Sequence, residues 1–139
     1  MKFLSIDFST QNTGYTFQDN DGNYVVGQIP VSNTKVKSPY ERTQLIIEAL
    51  SDMIIEYNLM DRLIAIEEPI IVFKNSMSLI RSNGMVLGAL RQKFNMGFID
   101  VPNVKWASYH LIKGNNKKGK LAISISHIIS IFMLQSFLR

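Results

Sequence analysis

Apolar residues recur along this chain with two different periods, and the switches between them mark out its elements. "KFLSIDF" at 2–8 is a nearly continuous apolar run broken by one carboxylate, Asp7. "NTGYTFQ" follows, then the turn "DNDG" at 19–22, then "NYVVGQIPV". Three consecutive short runs separated by turn residues predict three strands joined as antiparallel hairpins. At "SPYE", 38–41, Ser38 stands as N-cap, Pro39 at the first helical position and Glu41 three residues after the cap, the signature of a helix start. The helix is expected to run to about Asn58 and to bury one stripe: Leu45, Ile46, Ala49, Leu50, Met53, Ile54 and Tyr57.

"RLIAIEEP" is a short apolar run stopped by two acids and a proline, and it predicts a buried strand ending at its glutamates. A second helix is expected over Ser76 to Phe94. In it Gly84 and Gly88 leave a notch for the close approach of another backbone, either the sheet beneath or the seam of a homodimer. "MGFIDVPNVKWAS" offers one more strand, followed by a lysine-rich loop and a terminal helix from about Lys120. The predicted order is strand, strand, strand, helix, strand, helix, strand, helix. It implies an α/β fold, a mixed sheet whose first three strands are antiparallel and whose later strands are joined by helical crossovers, with helices on its faces. No internal repeat or linker divides residues 1–139, so a single domain is expected.

Composition narrows the class. Hydrophobic residues make up 46% and charged residues 19%, the balance of a globular chain rather than a disordered one. Cysteine is absent, which excludes a disulfide framework and a thiolate metal site. The opening "MKFLSIDFS" carries an Asp where a signal peptide needs apolar residues, so a cytoplasmic location is expected. Charge is unevenly placed. Residues 1–100 hold nine Lys or Arg against eleven Asp or Glu, whereas residues 101–139 hold six Lys or Arg and no acid. Lys105, Lys113, Lys117, Lys118 and Lys120 surround a Gly/Asn-rich loop. Such a basic segment suits a polyanion such as nucleic acid, or serves only as a solvated surface.

Ligands of open sheets collect at the carboxyl ends of strands, where Asp7 and Glu67 are both placed. Two carboxylates in an apolar frame repel unless one is protonated or a cation lies between them. Oxygen ligands without Cys point to a hard cation, Mg or Mn. Beside a basic face, metal-assisted phosphodiester hydrolysis is the most economical chemistry. Alternation puts Glu67 on one face of its strand with Leu63 and Ala65, and Glu68 on the other with Ile64 and Ile66. Which face holds the site is not fixed by alternation.

"SIDFSTQNTGY", then "AIEEP" about sixty residues later, then "IKGNNKKGK" leading into a helix, together resemble the RuvC family of Holliday-junction resolvases, particularly its phage-encoded branch, within the ribonuclease H-like superfamily. The resemblance covers roughly residues 1 to 122. It implies that Asp7 and Glu67 ligate the metal, with Glu68 a polar neighbour, and that Lys120 stands near the scissile phosphate. Lys113 falls in the preceding turn, where backbone-phosphate contacts are expected. Phe73 and Lys74 occupy the loop in which related enzymes stack an aromatic on an unpaired base; Phe73 serves equally well as a core anchor. Two symmetrical cuts in a four-way junction further imply a homodimer on branched double-stranded DNA.

The chain departs from that family at its end. The family completes its site with an acidic pair on the last helix, but no acid follows Asp100 here, and His127 is the only potential ligand in "LAISISHIISIFMLQSFL", 121–138. A membrane helix needs about 20 apolar residues, and six of these eighteen are Ser, His or Gln. An ordinary buried helix and a frameshifted or truncated ending are the other two readings of residues 123–139, and the abrupt loss of acids favours the last. The function expected is thus a Mg-dependent, structure-selective endodeoxyribonuclease, impaired if its third and fourth ligands are missing. The rival is a catalytically silent binder of branched DNA. An actin-like or sugar-kinase-like ATPase would need two lobes, and 139 residues supply one.

Overall fold

The computed structural model describes residues 2–31, 35–69 and 76–101. Within them the order is β1 (Phe3–Asp7), β2 (Asn12–Gln18), β3 (Tyr24–Pro30), α1 (Pro39–Glu56), β4 (Leu63–Glu67), α2 (Ser76–Phe94) and β5 (Phe98–Val101). The five strands form one sheet in the order β3-β2-β1-β4-β5. β1 pairs antiparallel with β2, and β2 with β3; β1 with β4 and β4 with β5 are parallel. The mixed α/β sheet expected from the sequence is present. Its terminal helix, from about residue 120, lies outside the described residues.

Both crossovers, β3 to β4 through α1 and β4 to β5 through α2, move in the same direction across the sheet. Right-handed crossovers therefore put both helices on the same face. That face supplies Leu4, Ile6, Phe17, Ile64 and Ile66 to a core completed by Ile46, Ile47, Leu50, Met53 and Ile54 of α1 and Val86, Leu87 and Leu90 of α2. Alternate residues of the same strands point the other way, where Phe3, Ala65 and Val101 form a smaller buried cluster with Leu63 and Ile99 packed against it.

The helix termini follow local chemistry. α1 ends with Asn58 in the left-handed region, φ 54°. The Asn58 N–H donates to the Ile55 carbonyl at 3.2 Å and the Leu59 N–H to Ile54 at 2.9 Å, a Schellman closure that also buries Leu59. At the other end the Ser38 side chain makes no capping bond; Pro39 and the acid Glu41 mark the start without it. The β2–β3 turn is tied by Asp19, whose Oδ1 accepts from the Asp21 and Asn23 amides at 3.0 and 2.8 Å, while Gly22 takes φ 86°.

Two sequence expectations need correction. The buried stripe of α1 is Thr43, Ile46, Ile47, Leu50, Ser51, Met53 and Ile54, while Leu45 and Tyr57 are exposed. Thr43 and Ser51 enter the core because each hydroxyl donates to the carbonyl four residues back, Pro39 at 2.6 Å and Ile47 at 2.7 Å, which removes the penalty for burying it. The glycine notch of α2 does not pack on the sheet. Gly84 and Gly88 are exposed, and a Cβ at either would meet no atom of the described residues within 4 Å.

Candidate metal and phosphodiester site

The site is built from the last residues of two adjacent parallel strands. β1 and β4 run in register from Phe3 opposite Leu63 to Ile6 opposite Ile66, so Asp7 and Glu67 are the next step on each strand. Both belong to the face opposite the helices, Asp7 with Phe3 and Ser5, Glu67 with Leu63 and Ala65. Neighbouring strands lie about 4.8 Å apart, and two side chains leaving the same side at that spacing can share one cation. On its other side Asp7 pairs with Gly14 of β2, which has no side chain to crowd the carboxylate. Beneath the carboxylates, Ser5 and Ala65 are buried side by side.

Register thus decides what alternation left open: Glu67, not Glu68, shares a face with Asp7. Glu68 lies beyond β4, exposed, with its N–H donating to the Val101 carbonyl at 3.0 Å. Asp100 pairs with Ile66, which assigns it to the helix side of the sheet and away from the two carboxylates. Among the described residues no group of three or more His, Cys, Asp or Glu gathers where it could hold a metal. What the strand pairing brings together is two carboxylates at neighbouring strand ends, oxygen donors of the kind that suit a hard cation.

The turn after Asp7 is held more firmly than its sequence suggests. The Thr13 hydroxyl donates to the Ser9 carbonyl at 2.7 Å and accepts from the Ser9 amide at 3.3 Å, and the Gln11 amide donates to the Ser9 hydroxyl at 3.2 Å. Arg42, from the first turn of α1, donates through Nε to the Thr10 carbonyl at 2.9 Å and through Nη1 to Lys37 at 2.8 Å. Hydrogen bonds from a charged donor are worth about 1.5–3 kcal/mol each. Arg42 therefore ties the Asp7 turn to the segment entering α1. Sequence reasoning missed it, because an Arg one helical turn after an N-cap looks like any solvated cation.

The remaining predicted site residues, Phe73, Lys74, Lys105, Lys113, Lys117, Lys118, Lys120 and His127, lie outside the described residues. No helix among the described residues is long and apolar enough to cross a membrane.

Comparisons with known proteins agree with the fold. It is similar to the solved structure of T. thermophilus RuvC in complex with Holliday junction substrate, with a TM-score of 0.56 and 13% identity, covering 78% of this chain and 68% of that one. A second Thermus thermophilus RuvC structure gives a TM-score of 0.53 and 14% identity, over 86% of this chain and 75% of that chain. At this identity the likeness establishes architecture: the fold is ribonuclease H-like. No curated protein matches the sequence. The family model described as "DUF3882: Lactococcus phage M3 protein" matches residues 1–136, and over that span the chain belongs to this family.

Proposed function

We propose that the chain is a divalent-metal-dependent endonuclease acting on branched DNA, of the Holliday-junction-resolving kind, working as a homodimer in the cytoplasm of a bacterial host. One observation carries the reading: Asp7 and Glu67 stand side by side at the carboxyl edge of adjacent parallel strands of a ribonuclease H-like sheet. Asp7 and Glu67 would hold Mg or Mn. A bound ion of this type supplies a nucleophile at neutral pH and shields charge developing on a phosphate. The chain's own residues do the rest. The Ser9–Thr13 hydrogen bonds and Arg42 hold the turn that follows Asp7, Gly14 leaves room for a substrate beside it, and the lysines from 105 to 120 are proposed to hold the phosphate backbone in register. RuvC of T. thermophilus was solved on Holliday junction substrate, and the same substrate class is proposed here.

A second reading has its own observation. Because residues 101–139 hold no acid that could add to Asp7 and Glu67, the protein on this reading binds branched DNA without cutting it. Nicking of a four-way junction in Mg separates the two. The nuclease reading expects cleavage that disappears in Asp7→Asn and in Glu67→Gln while junction binding persists. Junction binding without cleavage in the unaltered chain would favour the silent binder. Cleavage that persists in both variants would refute the site.

A further inference from the structure

The two carboxylates belong to a longer row across the sheet. Asp7 pairs with Gly14 of β2, and Gly14 with Gln28 of β3. Directly opposed residues of antiparallel strands leave the sheet on the same side, so Gln28 shares the face of Asp7 and Glu67. Asn12, two residues before Gly14, shares it too. At this end of the sheet the face therefore carries two acids, on β1 and β4, and two amides, on β2 and β3. Only the backbone of Gly14 stands in the row between Asp7 and Gln28.

The two amides are bonded to each other. Asn12 Nδ2 donates to Gln28 Oε1 at 2.8 Å, although the residues directly opposite them are Pro30 and Gly14. The bond is thus a diagonal one, reaching along the strands beside Gly14. Both side chains are exposed, and among the described residues this is the one hydrogen bond that either makes. With its oxygen engaged by Asn12, Gln28 keeps both Nε2 hydrogens for an outside acceptor. A phosphate oxygen is such an acceptor, and Gln is among the side chains that bind it. Charge on this flank agrees. Residues 8–18 and 22–40 contain no acid. Lys35 and Lys37 are exposed, and Arg42 ties the Lys37 carbonyl to the turn that leads from Asp7 to Asn12.

We propose that Gln28, oriented by Asn12, donates to a phosphate flanking the one to be cut, on the β3 side of the Asp7–Glu67 pair. Asn12 is a positioning residue that acts through Gln28. An amide suits this place better than a cation. Gln28 stands two strand spacings, about 10 Å, from Asp7. A lysine there, on its long flexible stem, would swing its ammonium onto the carboxylates and compete with a metal; a neutral amide does not. The contact carries no base information, so it steadies the strand equally on any sequence.

The assignment rests on the reading that branched DNA lies over the two carboxylates, and its test is binding rather than cleavage. Affinity of the full chain for a four-way junction is measured without Mg over a range of salt. Gln28→Ala and the nearly isosteric Gln28→Met should each weaken binding by about 3–10-fold, the size of one net hydrogen bond, whatever the bases around the crossover. The slope of affinity against salt should not change, because no protein charge is removed. Melting temperature should change little, since both amides are exposed. Asn12→Ala should weaken binding less than Gln28→Ala, and should add nothing in a chain that already carries Gln28→Ala. Unchanged affinity in both Gln28 variants, a loss that depends on base sequence, or an Asn12→Ala loss that persists without Gln28 would overturn the proposal. So would an unaltered chain that binds no junction. A chain that binds the junction but leaves it uncut refutes the nuclease reading alone, and the Gln28 variants still decide this one.

Discussion

The two faces of the sheet are made by alternate residues of the same strands, and they are put to opposite uses. On one, Leu4 and Ile6 of β1 meet Ile64 and Ile66 of β4 beneath two helices, and all four are at most 1% exposed. On the other, Phe3, Ser5 and Asp7 run beside Leu63, Ala65 and Glu67, and the apolar content gives way to two half-buried carboxylates at the strand ends. One face is optimised for burial; the other gives up burial at its last position to hold charge. A one-residue slip of β1 against β4 would exchange the two, so the register that builds the core also builds the site.

That contrast predicts which substitutions cost stability and which cost chemistry. The largest loss of stability is expected on the helix side: Ile66→Ala should lower unfolding free energy by about 2–5 kcal/mol, measured by urea unfolding, with cleavage per folded molecule little changed. Gly27→Ala comes next. Gly27 pairs with Tyr15 across β2 and β3, and a Cβ there would collide with the Tyr15 phenol, so a loss of about 1–3 kcal/mol is expected. Shortening Tyr15 in the same chain should recover part of it. Asp7→Asn keeps the shape of the side chain and should leave the melting temperature little changed, even as it removes the proposed activity. A marked fall in melting temperature would mean that Asp7 is a structural residue.

The smallest effect is alkaline. Burial, then the neighbouring Tyr57 and Glu56, raise the Tyr15 phenol above its ordinary value of 10.0. Neutral Tyr15 thus contributes stability that is complete below pH 10 and is lost as pH rises through the folded-state value. Tyr15→Phe should flatten the fall in melting temperature above pH 10 relative to the unaltered chain.

Much of this architecture was legible from the sequence, for reasons particular residues make clear. β2 and α2 fall where the alternation of "NTGYTFQ" and the helical run from Ser76 to Phe94 put them. The stripe of α1 was misjudged because apolar residues occur on more than one side of that helix, and periodicity alone cannot show that Thr43 and Ser51 satisfy their own hydroxyls. Asp7 was conspicuous as a carboxylate ending an apolar run. Choosing between Glu67 and Glu68 required the pairing of Ile6 with Ile66, which is a tertiary fact. Arg42 was illegible for the same reason, since the Thr10 carbonyl it binds lies thirty-two residues away.

Divalent-ion binding tests the pairing of Asp7 with Glu67 most directly. Mn titrated calorimetrically into the unaltered chain, Asp7→Asn, Glu67→Gln and the double variant closes a double-mutant cycle. If the two carboxylates share one ion, each single variant should lose nearly as much affinity as the double, more than the ~10–100-fold typical of outer-shell partners. Losses that simply add, or binding that survives in the double variant, would show that the two side chains do not form one site.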